Sequence, residues 1–282
     1  MADTAGLRQG SRAEAGATAP ALIAFEGFGK SFELATGTVR AAENVNLSVA
    51  EGEFVTLVGP SGCGKSTLLN AVAGLFPASS GQVRYRGVAV DGYNRQVGYM
   101  TQSDHLLPWR DVTGNIAVPL EIQGRSRAAI RDRVQALVAL VGLTGFEKSY
   151  PTQLSGGMRK RCALARLLAY DPETLLMDEP FGALDAQLRL GMQIEIRKLC
   201  RDLGKTVLFV THDLDEAVAL ADRCAVFSAR PGTIRRIVDV PLPRDRDLLR
   251  LRHDRRYVEL TAELWDLLAP SIAGHADMEP GR

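Results

Sequence analysis

The stretch Glu53–Leu69, EFVTLVGPSGCGKSTLL, decides the fold. Its first six residues, EFVTLV, are a short β-rich run that stops at Gly59, as a strand entering a turn does. From Lys65 the run KSTLLNAVAGL has helical composition and meets no breaker before Gly74. Between strand and helix, Gly59-Pro60-Ser61-Gly62-Cys63-Gly64-Lys65-Ser66 fits the spacing G-x-x-x-x-G-K-[ST]. Glycine lets the backbone turn tightly and approach an anion closely. Successive N–H groups then converge, and the start of the following helix adds positive potential. Lys65 supplies a mobile cation for the β- and γ-phosphates of a nucleotide, and the Ser66 hydroxyl is a ligand for Mg²⁺.

Outward from this loop, extended and helical patterns alternate. Residues 22–28 and 45–49 have strand-like alternation, and 97–101 (VGYMT) read as another strand. Over 126–141, Ile130, Val134, Leu137, Val138 and Val141 share one helical face. A helix with a basic start covers Met158–Ala169, after the break Ser155-Gly156-Gly157. The apolar run Thr174–Met177 ends in Asp178-Glu179-Pro180, a helix occupies 186–203, and Val207–Val210 runs into Thr211-His212. A helix over 213–221 and a strand over 224–228 follow. Strands alternating with helices predict a mostly parallel α/β sheet, whose ligands bind at the carboxyl ends of strands. Gly59, Asp178-Glu179 and His212 all fall at such ends. Adjacent acids after a strand usually just open a loop. Beside a phosphate loop, Asp178 holds Mg²⁺ through water and Glu179 polarises the attacking water. Ser155 is a good N-cap, and the glycines after it expose N–H groups toward an anion; an ordinary capped helix start is the simpler reading of those three residues taken alone.

Bulk properties bound the rest. The chain has 282 residues, 46% apolar and 24% charged, with a formal net charge of +1. That leaves room for a sizeable core and gives no global field toward nucleic acid or an acidic membrane surface. No apolar run is long enough to span a bilayer, so a role in transport needs another chain to form the pore. Residues 1–21 lack the apolar core of a secretory signal and read as a disordered tail. Cys63, Cys162, Cys200 and Cys224 form neither a C-x-x-C pair nor a zinc cluster and are expected to be reduced thiols. Past Pro241, the Arg- and Asp-rich 244–268 carries Leu248, Leu251, Tyr257, Leu260, Leu264 and Leu267, one or two amphipathic surface helices, before a frayed end over the last dozen residues.

The order GPSGCGKST, Gln102, LSGGM, LLMDEP, ALD and His212 resembles the ATP-binding cassette superfamily, over roughly residues 22–240. The resemblance implies a P-loop NTPase (RecA-like) α/β core, an antiparallel β subdomain and a helical subdomain at about 103–170 carrying the signature. The cassette would span 22–243 and a C-terminal helical tail 244–282. It makes Gly59–Thr67 the Walker A loop, Thr174–Asp178 the Walker B strand and Glu179 the catalytic carboxylate. Gln102 becomes the residue that senses Mg²⁺ and faces the membrane partner, Asp185 the end of the D-loop, and His212 the switch histidine. Phe32 resembles the aromatic that stacks on adenine; as a Phe after a strand it is as often core. The signature usually reads LSGGQ, and Met158 here cannot donate the Gln side-chain hydrogen bond.

Within the superfamily, HLLPWRDVTGNI (105–116), LSGGMRKR (154–161), FGALDAQ (181–187), THDLDEAVALAD (211–222) and FSARPGT (227–233) resemble the nitrate/sulfonate/taurine importers. This implies a peripheral ATPase on the cytoplasmic face of the membrane, using ATP and Mg²⁺ and working with permease subunits and, indirectly, a solute-binding protein. Ser155–Gly157 would complete the site of a second copy, head to tail, and His105–Arg110 would receive the permease, unless Leu106, Leu107 and Trp109 are merely core. Cys63 is expected to make ATP binding sensitive to a thiol reagent, with ATP protecting. A soluble ATPase of this superfamily acting on nucleic acid or ribosomes is the alternative; the balanced charge and the lack of a second cassette or coiled coil speak against it. A separate signal module in 244–282 is too short for an ordinary domain.

Overall fold

Apolar residues alternate along the first two extended segments, whereas three later strands are buried at every position, and the chain builds two kinds of sheet. The computed structural model describes residues 21–35 and 37–276. The tail expected over 1–21 lies outside these residues except for Ala21, which already belongs to a strand. Strands β1 (Ala21–Leu34), β2 (Gly37–Ala50), β4 (Ser80–Tyr85) and β5 (Val88–Ala89) form an antiparallel sheet in the order β2-β1-β4-β5. Strands β3 (Phe54–Val58), β6 (Val97–Met100), β7 (Thr174–Asp178), β8 (Thr206–Val210), β9 (Arg223–Phe227) and β10 (Ile234–Asp239) form the second, in the order β10-β9-β3-β8-β7-β6. This sheet is parallel except for the edge pair of β10 with β9. The architecture is that of a P-loop NTPase core with an antiparallel β sheet beside it.

Period-2 alternation sends neighbouring side chains of the central strands to opposite faces. Val55, Leu57, Leu176, Leu208 and Val210 join α1 (Lys65–Val72) and the antiparallel sheet in one core. Phe54, Leu175, Met177, Val207 and Phe209 join the helices in the other. That second core spans α2 (Val112–Ile122), α3 (Arg127–Leu140), α4 (Gly156–Tyr170), α5 (Ala186–Asp202), α6 (Leu214–Leu220) and α7 (Arg255–Ala276). Phe209 is fully buried with its ring 5.7 Å from both Phe54 and Phe181.

Several elements carry no clear sequence signal. Gly114 and Pro119 both lie inside α2 and disguise it as a loop. The helix forms because Asp111 accepts from Gly114 N at 2.7 Å and because Asn115, fully buried, ties the preceding loop down. Asn115 donates to the carbonyls of Leu107, Arg110 and Asp111 and accepts from Leu107 N at 2.7 Å. Strands β4 and β10 mix Arg and other polar residues with apolar ones, and β5 is only two residues long, so all three also escape the pattern.

Of the one or two helices expected in the C-terminal segment, one forms. Residues 244–250 are irregular, and a single helix, α7, begins only at Arg255. Leu248, Leu251, Tyr257, Leu260, Leu264 and Leu268 are buried in the main core, with Leu267 packed against it. Arg246 fastens the irregular part by donating to Ala219 O at 2.9 Å and Ala221 O at 2.5 Å. Helix α7 continues through Ala276, into the stretch read as frayed, and 277–282 lie outside the described residues. Because Phe209 bridges two other rings beneath the sheet, Phe209→Ala is expected to cost about 3–5 kcal/mol. Urea denaturation of the two proteins measures it, with Phe209→Leu expected to lose less.

Candidate functional site

Parallel pairing aligns the strand ends that carry polar residues. Leu57 lies opposite Val210, and Val210 opposite Asp178. One residue further on, Thr211 N donates to Leu57 O at 3.3 Å and Glu179 N to Val210 O at 3.0 Å. Loops leaving β3, β7 and β8 therefore begin at one edge, and there a cavity of about 300 Å³ opens.

The loop after β3 forms its floor. Gly64 has φ +99°, and a methyl at that position would overlap the Ala41 carbonyl on β2, so only glycine allows helix α1 to start here. Lys65 is buried, its Nζ bonded to Gly59 O at 2.8 Å and Pro60 O at 2.7 Å. Of the phosphate-loop residues expected to hold nucleotide, Ser61, Gly62, Gly64, Lys65, Ser66 and Thr67 line the cavity. Gly59 and Pro60 contribute the carbonyls that hold Lys65. Cys63 is turned into the core with 1% exposure, so a thiol reagent reaches it only if the loop opens; this revises the expectation of a simply accessible loop thiol. All four cysteines are free and buried, and burial pushes the thiols of Cys162, Cys200 and Cys224 up to about 12.

Acidic groups face the loop from β7. Asp178 is buried, which pushes its carboxyl above the ordinary range, while a hydrogen bond from Ser66 and the charges of Lys65 and Lys160 pull the other way. Glu179 adopts φ +48°, a sparsely populated conformation for a residue with a side chain. Its carboxylate sits between two groups from other loops: His212 Nδ1 lies 3.3 Å from Oε1, and Gln102 Nε2 donates to Oε2 at 3.5 Å. Gln102, Asp178 and Glu179 line the cavity together with Phe32. Phe32 is partly exposed, with its ring edge-on to Phe76 at 5.5 Å between centroids, so it is available to a planar base rather than sunk in the core.

Among the described residues no group of three or more His, Cys, Asp or Glu could hold a metal by itself. The neighbouring hydroxyl of Ser66, carboxylate of Asp178 and amide of Gln102 nevertheless suit Mg²⁺, which takes one or two protein ligands and completes its shell with phosphate and water oxygens.

Eight expected residues are absent from the cavity's lining: Gly59, Pro60 and Cys63 of the phosphate loop, His212, which stands beside Glu179, and four from other segments. Ser155, Gly156, Gly157 and Asp185 lie outside its lining. Ser155 caps α4, accepting from Met158 N at 3.3 Å, and Ser155 and Gly156 are exposed. Met158 packs against the helical core, so this position is used for packing. Asp185 caps α5, accepting from Leu188 N at 3.0 Å.

Two sets of residues were not singled out in advance. Arg159, Lys160 and Arg166 of α4 tie down the loop that carries Gln102: Arg159 Nε meets Asp104 Oδ2 at 3.0 Å, Lys160 Nζ bonds Gln102 O, and Arg166 donates to Asp104 O at 2.9 Å and His105 O at 2.8 Å. The basic start of α4 was their only signal. Arg230 lines the cavity of the phosphate loop from the loop after β9. Between β6, α2 and α4 a separate groove of about 330 Å³ is lined by Asp104, His105, Pro119, Ile122 and Arg166. Leu106 is core, whereas Trp109 is 70% exposed, so the 105–110 segment divides between packing and surface. Among the described residues no helix is long and apolar enough to cross a membrane.

Comparison with known proteins agrees with this geometry. The family model described as "ABC transporter" matches residues 42–182. The chain is 48% identical over 247 residues to an uncharacterized ABC transporter ATP-binding protein, MJ0412, of Methanocaldococcus jannaschii, covering 88% of this chain and 91% of that one. It is 40% identical over 252 residues to the aliphatic sulfonates import ATP-binding protein SsuB of Bacillus cereus, covering 89% and 99%. Among solved structures, the dimeric post-hydrolysis state of the ATP-binding cassette MJ0796 bound to ADP and Pi superposes with a TM-score of 0.72 at 30% identity, over 78% of this chain and 100% of that one. With the phosphate loop, the strand-end acids and their flanking histidine and glutamine held at one sheet edge, the chain belongs to the ABC transporter family, as an ATP-binding subunit and an ATPase.

Proposed function

We propose that two copies of this chain close head to tail over two ATP molecules and energise the import of a small anionic solute, of the nitrate, sulfonate or taurine kind, through a separate membrane permease. The observation that carries the dimer is the division of the site. Lys65, Ser66, Asp178 and Glu179 share one cavity, while Ser155 and Gly156 are exposed outside it with their N–H groups at a helix start. A signature that cannot serve its own phosphate loop is suited to serve a second copy's. A related cassette solved as a dimer bound to ADP and Pi supports pairing of two cassettes.

Within each site the loop N–H groups and Lys65 bind the β- and γ-phosphates, Lys65 exchanging its bonds to Gly59 and Pro60 for phosphate oxygens. Ser66, Asp178 and Gln102 would hold Mg²⁺, which supplies charge neutralisation on the transferring phosphoryl group. Glu179 receives the proton of the attacking water, with its carboxylate held by His212 and Gln102. Phe32 stacks on the base. The partner's Ser155–Gly157 amides close over the γ-phosphate, and the Asp185 turn meets the partner copy.

Coupling to the permease follows from the ties between Gln102 and α4. Lys160, Arg159 and Arg166 make the Gln102 loop and the signature helix one mechanical unit, so a load on the neighbouring groove moves both. The groove beside His105 and Ile122, with Trp109 exposed nearby, suits a short helix of the permease at the cytoplasmic face. Relatives named as aliphatic sulfonates import ATP-binding proteins support an anionic solute and favour transport over action on nucleic acid.

Glu179→Gln is expected to bind ATP normally, elute as a dimer with ATP, and hydrolyse about 10²–10⁴-fold more slowly; turnover at the wild-type rate would remove Glu179 from the role of base. Trp109→Glu is expected to leave hydrolysis by the isolated chain unchanged while abolishing co-purification with the permease. Retention of the permease by that variant would place the docking surface elsewhere.

A further inference from the structure

The segment FSARPGT, 227–233, has no part in the mechanism above, yet it is built against the phosphate loop. It closes on itself: Ser228 N donates to Thr233 O at 2.9 Å, and Thr233 N to Ser228 Oγ at 3.0 Å. It is also docked on β2, with Gly232 N donating to Ala41 O and Glu43 N to Gly232 O, both at 3.0 Å. A methyl at Gly232 would overlap the Cys63 carbonyl, so the turn and the phosphate loop touch backbone to backbone. From this fixed turn Arg230 reaches over the loop. Its Nε and Nη2 both donate to Gly62 O, at 3.0 and 2.8 Å.

Gly62 has φ +71° and stands in the middle of the glycine loop, where its neighbouring peptide planes are free to rotate. A trans peptide holds its C=O and N–H on opposite sides. Gripping Gly62 O from the Arg230 side therefore holds the Cys63 N–H pointing away from Arg230, where it donates to Pro60 O at 3.4 Å, a bond a phosphate oxygen would replace. The guanidinium also polarises that peptide and strengthens its N–H as a donor. Two of the five N–H donors of Arg230 are engaged on Gly62 O, and the side chain lines the nucleotide cavity.

We infer that Arg230 is a positioning residue for nucleotide binding: braced by the 228–233 turn, it presets the Gly62–Cys63 peptide for the phosphates of ATP. This rests on the reading of Gly59–Ser66 as the phosphate cradle, which loss of ATP binding in Lys65→Ala tests separately. Losing a two-donor charged grip predicts that Arg230→Met raises the KM and Kd for ATP about three- to tenfold. The kcat at saturating ATP and the melting temperature should stay at wild-type values, since the side chain is exposed and does not touch the reacting atoms. Arg230→Lys should resemble Arg230→Met, because an ammonium keeps the charge without the planar two-donor geometry. Steady-state kinetics, ATP titration and thermal melts of the three proteins test this. An unchanged KM in Arg230→Met, a loss confined to kcat, or full recovery in Arg230→Lys would each overturn the positioning role.

Discussion

In-register parallel pairing of β3, β8 and β7 is the constraint on which the nucleotide edge depends. Leu57, Val210 and Asp178 stand in one row across the sheet, so the phosphate loop, the switch segment and the acidic pair all leave the sheet at the same height. A slip of one residue in either pairing would exchange the faces of every side chain on that strand. It would move Phe209 out from between Phe54 and Phe181 and carry Asp178 away from Ser66. The apolar packing that fixes the register thus also fixes the chemistry, and the most buried parts of the molecule set distances among its polar ones.

Around that row the charged groups are held by partners from the chain itself. Lys65 bonds carbonyls of its own loop, Asp178 is buried beside a hydroxyl, and Glu179 holds a strained backbone between His212 and Gln102. Each contact is one that a magnesium nucleotide could replace or complete. Strain kept in place by surrounding structure is common where a side chain must be aimed. Here Glu179 N is anchored to Val210 O and Gly182 N to Glu179 O, so the turn after β7 has little freedom to relax.

Much of this was legible in the sequence because it depends on short-range spacing. The loop Gly59–Ser66, the acids at the end of Thr174–Asp178 and His212 after Val207–Val210 are strand-end motifs, and the parallel α/β class follows from their alternation with helices. What the sequence hid depends on contacts between distant segments. Helix α2 contains Gly114 and Pro119 and forms through the buried Asn115. The C-terminal leucines mark an apolar face, but not the neighbours it packs on, which are α6 and the central sheet. Cys63 sits inside a phosphate motif yet points into the core, since backbone rather than side chain lines that part of the loop. Arg230 belongs to a stretch whose likeness to a family was visible, but its contact with Gly62 joins residues 168 positions apart.

On the proposed reading, a cavity holding the phosphate loop and acids, with the signature outside it, is half of a site. The most direct measurement uses two inactive variants, Lys65→Ala and Ser155→Arg, co-expressed with different tags and purified as the mixed dimer. If the signature acts on the partner, the mixed dimer contains one intact site and hydrolyses ATP while either variant alone is nearly inactive. A mixed dimer as inactive as its parents, or a Ser155→Arg homodimer with wild-type turnover, would contradict the head-to-tail site.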